Sequence, residues 1–491
     1  MSAIQLDYGE FDARFLGVNV RFHAAHPSTW TLFDEIGTEK RDPQKVFEAG
    51  RAALKESPER AFEVFSVGTV LTHEVRHFHD FILSPYGNAL FRLRLTILLN
   101  GFQALLPLLG GRKTIPVPLP AWLAKGDAEK ARLAEQWAGL MGGQTVEPFD
   151  LSDDEARLID QTRDTYSRIK DFLFNPRTVS GSVSFQPYHL WEASAFITQV
   201  QNVYSVFGTE AVEAFTNFIL NHPAAQPYSI VFRLLYELWQ EAGVAFDAEV
   251  GSAVAAWCLL GDFVNDGWAA CPTVRFARLY ELLRKEGPPP RGDVGELFRA
   301  WTERLSYSPV ETAIERNNAS TQRFIDHLEQ NAGNYPDFMA HHVSHLLWAL
   351  KSLARANAHA SRLFLSNPKG YVNPYDYVQN YEAWPSAPAV ATFVGGGILI
   401  PKQRMEALQE QGIIIHNGKT YGEDQVIVFK VLFPKNVGGV HLIDAELALG
   451  LSDLLTMSDF FFSEYYRADD EFDLVRVSLR EAGLTALEIL T

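Results

Sequence analysis

Val70-Leu71-Thr72-His73-Glu74-Val75-Arg76-His77-Phe78 is the stretch on which the reading of this chain turns. Its centre, His73 to His77, has the form H-E-x-x-H. Upstream, Phe62, Phe65, Val67, Val70 and Leu71 supply the apolar side of a helix, with Gly68 the one weak helix former. Residues four apart share a helix face, so His73 and His77 offer two imidazoles to one metal ion. Glu74 lies about 100° around the helix from His73, where a carboxylate reaches a metal-held water rather than the metal. Neutral imidazole suits zinc, which lowers the pKa of a bound water to about 7. A carboxylate beside that water takes its proton as it attacks a carbonyl carbon. Spacing and residue type together point to metal-assisted hydrolysis. Asp80 falls on the stripe of both histidines, as a partner that orients an imidazole or as an alternative ligand.

The nine residues resemble the active-site helix of the zincin metallopeptidases. Arg76 and His79 depart from the family pattern, which prefers uncharged and apolar residues there. The metzincin extension is absent, with Asp80 and Leu83 standing where its glycine and third histidine would be. The resemblance implies a zincin-like domain, a Zn2+ cofactor and a third ligand. In the glutamate-type zincins that ligand is a Glu on a later helix, followed by small residues. Tyr188-His189-Leu190-Trp191-Glu192-Ala193-Ser194-Ala195 is similar to such a helix, running on to a stop at Gly208. Glu192, Ala195 and Gln199 share one face of it. A carboxylate with an apolar flank is costly to bury unpaired, and a metal would pair it. The set implied is His73, His77 and Glu192 on zinc, with Glu74 as general base. Asp80, Glu155 and Asp160 are rival third ligands, the last two in an acidic run that reads as an N-capped, solvated helix start. Tyr188, His189 and Tyr204 are candidate donors to a developing oxyanion. Two other readings stand beside the zinc hydrolase. One is an interaction or regulatory protein on a zincin-like scaffold, suggested by Arg76 and His79. The other is a two-iron carboxylate site using Glu74-x-x-His77, which needs a second E-x-x-H that the sequence lacks.

Composition narrows the class. The 491 residues exceed what one core holds, and 47% apolar with 21% charged residues is ordinary for a globular protein. A net charge of -17 argues against a nucleic-acid partner. A peptide or protein substrate and a regulatory protein are the expected partners. Two cysteines, Cys258 and Cys271, with no C-x-x-C pair fit a reducing cytoplasm. Met1 to Asp7 has neither the basic flank nor the apolar core of a signal peptide. The apolar run Leu95 to Leu109 is broken by Thr96, Asn100 and Gln103, and it is too short for a stable span.

The expected fold class is α+β and predominantly helical. Residues 11 to 24 read as a strand or hairpin, followed by a helix from about Pro43 to Lys55 and then the motif helix. Residues 1–286 are expected as the metal-binding domain, with an inserted helical segment at about 85–185. Glu286-Gly287-Pro288-Pro289-Pro290-Arg291-Gly292 is the expected boundary, because consecutive prolines cannot continue a helix. A helical region at 293–370 and a small α/β region at 371–491 follow. In the last, Val390 to Ile400 reads as a strand, Pro401 as a helix start, and Asn417-Gly418 as a hairpin turn. Asp337, His341 and His345 form a weaker metal-like stripe with no glutamate placed as a base.

Overall fold

The computed structural model describes residues 8–12, 17–21, 29, 32, 43–93, 95–96, 114–116, 125–140, 152–157, 161, 164, 175–179, 181, 183–334, 337–385, 389–394, 397–401, 414–416, 419–421, 425–428, 430–432 and 488–490. They are mostly helical, with small sheets. The chain forms two units, one of residues 1–89, 173–322 and 352–439, the other of residues 90–172, 323–351 and 440–491. Among the described residues, no helix is long and apolar enough to cross a membrane.

In the first unit, α1 (Pro43–Glu56) leads into α2 (Pro58–Leu83), the motif helix. Ser57 Oγ accepts the N–H of Arg60 at 3.1 Å and Pro58 fills the first helical position, where its missing N–H costs nothing. Ser84, in extended conformation before Pro85, ends the helix. α3 (Tyr188–Phe207) packs along α2 and stops at Gly208, whose φ of 86° suits glycine. α4 (Thr209–Asn221) and α5 (Gln226–Glu241) close the core over the first half of α2. Aromatic rings fill that core: Phe62 stacks on Phe215 at 5.6 Å between centroids, and Phe65 meets Phe207 at 5.0 Å. Each such pair adds about 0.5–1.5 kcal/mol beyond its buried area.

Further described helices are α6 (Ala248–Leu259), α7 (Pro272–Glu286), α8 (Val294–Leu305), α9 (Val310–Asn331), α10 (Asp337–Ser366), α11 (Pro368–Val372) and α12 (Pro374–Asn380). The proline run separates α7 from α8, and both helices lie in the first unit. A side-chain clamp that sequence order does not reveal holds the end of this run. Arg291 donates to the buried carboxylate of Glu249 at 2.6 and 3.0 Å, and Asn373 Nδ2 donates to the same oxygen at 2.6 Å.

The sheet also departs from the expected division. β1 (Gly9–Asp12) and β2 (Gly17–Arg21) pair antiparallel, and β2 pairs in parallel with β3 (Ala389–Val394). β4 (Gly397–Pro401), β5 (Lys419–Tyr421) and β6 (Gln425–Val428) complete six strands in the order β1-β2-β3-β4-β6-β5. Four of the described strands after residue 371, β3 to β6, thus build one sheet with the N-terminal hairpin. Pairing between distant strands leaves no local signature, so a period-2 pattern shows a strand but not its neighbour. Pro401 is the last residue of β4, β5 and β6 pair antiparallel, and the helix expected after Pro401 and the Asn417-Gly418 turn lie outside the described residues. Ile414–His416 pairs with Lys430–Leu432.

In the second unit, the described elements include the helix Asp127–Leu140 and a parallel pairing of Thr114–Pro116 with Glu488–Leu490. The run from 97 to 109, Asp160, and the side chains of Asp337, His341, His342 and His345 lie outside the described residues.

Candidate metal centre

α2 and α3 run antiparallel, pinned by side-chain bonds along their length. Arg76 Nε donates to Ser194 Oγ at 3.0 Å, and Asn202 Nδ2 donates to Thr72 Oγ1 at 2.6 Å. Ala193, Ser194 and Ala195 are fully buried, and their small side chains let the two backbones approach. This registry places Glu192 opposite the histidine pair. His73, His77 and Glu192 each offer one ligand atom within 4.8 Å of the others, the single group of this kind among the described residues.

The spacing tests the fit to zinc. Ligands about 2.0–2.1 Å from a tetrahedral zinc lie roughly 3.3 Å from one another. Here the His73 and His77 Nε2 atoms are 3.1 Å apart, His73 Nε2 and Glu192 Oε2 3.4 Å, and His77 Nε2 and Glu192 Oε1 3.6 Å. Two nitrogens and a carboxylate at those separations match a three-ligand catalytic zinc site in donor set and size. The centre is shallow, since the His73 and Glu192 side chains keep 15% and 18% of their surface exposed.

Electrostatics are coupled across the triad. Burial lowers the pKa of His77, but the charge and hydrogen bond of Glu192, aided by Glu74 and Asp80, outweigh it and raise it to about 9. Burial favours the neutral form of Glu192, yet the two imidazoles hold its pKa well below the usual carboxylate range.

Glu74 is buried under β1 and is not among the three ligand atoms. The β1 backbone presses on it at Gly9: a Cβ there would lie 2.5 Å from Glu74 Oε1 and 2.5 Å from Val70 Cγ2. Only glycine allows that approach.

The other expected site residues are placed unequally. His189 sits one turn before Glu192 on the same helix and is buried. Its Nδ1 accepts the N–H of Gln186 at 2.8 Å, so the ring hydrogen is on Nε2. That Nε2 is buried with no hydrogen-bond partner among the described residues. Burial pushes the His189 pKa down to about 4 against the pull of Glu192, which keeps the ring neutral. The Tyr188 ring lies tilted beside it, 3.9 Å between centroids, and is 40% exposed. Burial, then the charge of Glu192, raises its pKa. Tyr204 is exposed and lies about 18 Å along α3 from Glu192, too far to reach the triad. Glu155 is spent on capping, accepting from Ser152 N and Oγ at 2.8 and 3.0 Å.

Asp80 is not among the three ligand atoms. It pairs with the buried Arg76 at 3.3 Å and accepts the hydroxyl hydrogen of Tyr371. Arg76 Nη1 donates to the Tyr371 carbonyl at 2.7 Å, and its guanidinium lies over the Tyr371 ring at 3.9 Å. His79 accepts from Tyr377 OH at Nδ1 (2.6 Å) and donates from Nε2 to Pro385 O (2.7 Å). The two departures from the zincin pattern are therefore anchors that tie the motif helix to residues 371–385. The charge of Arg76 and the polarity of His79 were the available signal: a polar group on a helix that is otherwise buried needs a partner.

Comparison with family models, curated proteins and solved structures gave no match for this chain.

Proposed function

We propose that the chain is a zinc-dependent hydrolase of the zincin type, cleaving peptide bonds in a peptide or protein substrate. The observation that carries this reading is the His73, His77 and Glu192 spacing of 3.1, 3.4 and 3.6 Å, on an H-E-x-x-H helix. Zinc in that set would lower the pKa of a water to about 7 and polarise a carbonyl. Glu74 takes the proton of the attacking water and passes it to the leaving amine, the general acid–base role of its place in the motif. We assign the Nε2–H of His189, one turn from Glu192 and with no hydrogen-bond partner among the described residues, as donor to the oxygen on which negative charge develops. A donor of this kind contributes about 3–4 kcal/mol to the barrier where its loss has been measured.

The burial of Glu74 under β1 favours a second reading, a protein that holds zinc on this scaffold but binds partners without turnover. One experiment separates them. Metal content is measured on protein purified without chelator or metal-affinity resin, with peptide-library hydrolysis measured in parallel. One zinc per chain, lost in His73→Ala and Glu192→Ala, supports the site. Hydrolysis lost in Glu74→Gln with zinc retained supports the hydrolase. Zinc without hydrolysis in the wild type supports the restrained protein, and no zinc even after its addition overturns both.

A further inference from the structure

The hydrogen bonds behind His73 can be followed from an atom whose role has no alternative. The carbonyl oxygen of Phe65 only accepts. Thr69 Oγ1 lies 2.7 Å from it and so spends its single hydrogen there. Towards Gln199, 3.1 Å away, Thr69 Oγ1 is therefore an acceptor, and the Gln199 atom facing it is Nε2, a donor. An amide with its nitrogen on Thr69 turns its oxygen the other way. Gln199 Oε1 faces His73 Nδ1 at 2.9 Å, and because that oxygen only accepts, Nδ1 carries the hydrogen. A neutral imidazole has one ring hydrogen, so His73 Nε2 is left with a bare lone pair. That lone pair is on the side of His77 Nε2 and Glu192. Thr69 and Gln199 are both buried, so water does not compete for these bonds.

We propose that Phe65, Thr69 and Gln199 form a polarity relay that holds His73 in the Nδ1–H tautomer and keeps its Nε2 ready for a cation, with Gln199 as the positioning residue. The inference rests on the metal-site reading above for its purpose, but the order of donors and acceptors stands apart from it. Gln199 belongs to the helix that carries Glu192, two turns further on. One helix thus supplies a ligand and also sets the tautomer of a second ligand on the other helix. Partners of this kind typically change metal affinity 10–100-fold when removed, roughly the range expected here.

The test uses the full chain in two measurements. The tautomer of His73 is read by nitrogen-15 NMR on the metal-free protein, with His73→Gln identifying the resonance. Zinc affinity is read by competition with a chromophoric chelator. The wild type is expected to show Nδ1–H at His73. Gln199→Met removes the acceptor and is expected to shift His73 towards Nε2–H and to weaken zinc binding about 10–100-fold. Gln199→Glu keeps an acceptor and is expected to retain the tautomer and hold affinity within a few-fold. Thr69→Val does not touch His73, yet it frees the Gln199 amide to flip and is expected to mix the tautomers. It also serves if Gln199→Met does not fold. A His73 tautomer unchanged in both Gln199→Met and Thr69→Val overturns the relay. A tautomer that switches as expected in a wild-type protein that binds no zinc upholds the relay and overturns the metal reading.

Discussion

Acid should weaken this fold through two histidines that are buried neutral, and His79 allows the size of the effect to be worked out. Burial holds its pKa near 4, with Tyr377 and Pro385 occupying both ring nitrogens. In the unfolded chain the same ring titrates near its ordinary value of about 6.5. Between those values the unfolded state binds a proton that the folded state refuses, so stability is full above about pH 6.5 and falls as the pH drops towards 4. At pH 5 the loss is about 2 kcal/mol, from one pKa of about 6.5 and one of about 4. His189, held near 4 by the same cause, adds a similar loss. Urea unfolding of the metal-free protein at pH 7.5 and pH 5 reads the sum, and His79→Gln isolates one share. Glutamine keeps a donor for Pro385 and an acceptor for Tyr377 but does not titrate. The variant should lose about 2 kcal/mol less than the wild type over this range, about 0.7 M urea for a slope near 3 kcal/mol/M. Parallel losses in wild type and variant, agreeing within about 0.5 kcal/mol, would refute the buried neutral assignment.

Three further outcomes are expected. Zinc binding near pH 7 should release a proton from His77, whose pKa stands at about 9, so affinity should climb with pH up to about 9 and then level off; calorimetry in buffers of different ionisation enthalpy reads the proton directly. Gly9→Ala should displace Glu74 and cut peptide hydrolysis about 100-fold for a shift near 1 Å, while zinc content by mass spectrometry stays at the wild-type level. Tyr371→Phe removes a hydrogen bond to the buried Asp80 carboxylate and should cost about 1.5–3 kcal/mol in urea unfolding, with no change in zinc stoichiometry.

What could be read from the sequence follows the range of the interactions. The histidine pair was legible because a helix fixes the positions of residues four apart. The end of α3 was legible because Gly208 acts locally. Glu192 was legible as a motif match, and the face it shares with Gln199 was visible, though not what Gln199 touches. The partner of Asp80 was misjudged because helical phase put it on the histidine stripe, while Arg76 and Tyr371, the second from 291 positions away, claimed its oxygens. The β2–β3 pairing and the Glu249–Arg291 clamp were hidden for the same reason. Each joins segments whose own patterns are complete without the other.

The anchoring of Arg76 by Tyr371 has a consequence in time. One of its partners, Ser194, is 118 residues ahead along the chain, whereas Tyr371 is 295 residues ahead. At a synthesis rate of roughly 5–20 residues per second, Tyr371 follows Arg76 by about 15–60 seconds. During translation both histidines and Glu192 leave the ribosome well before the segment that pairs with Arg76 and Asp80. A nascent chain therefore completes the histidine pair and Glu192 while the buried cation of the motif helix still awaits its carbonyl and aromatic lid.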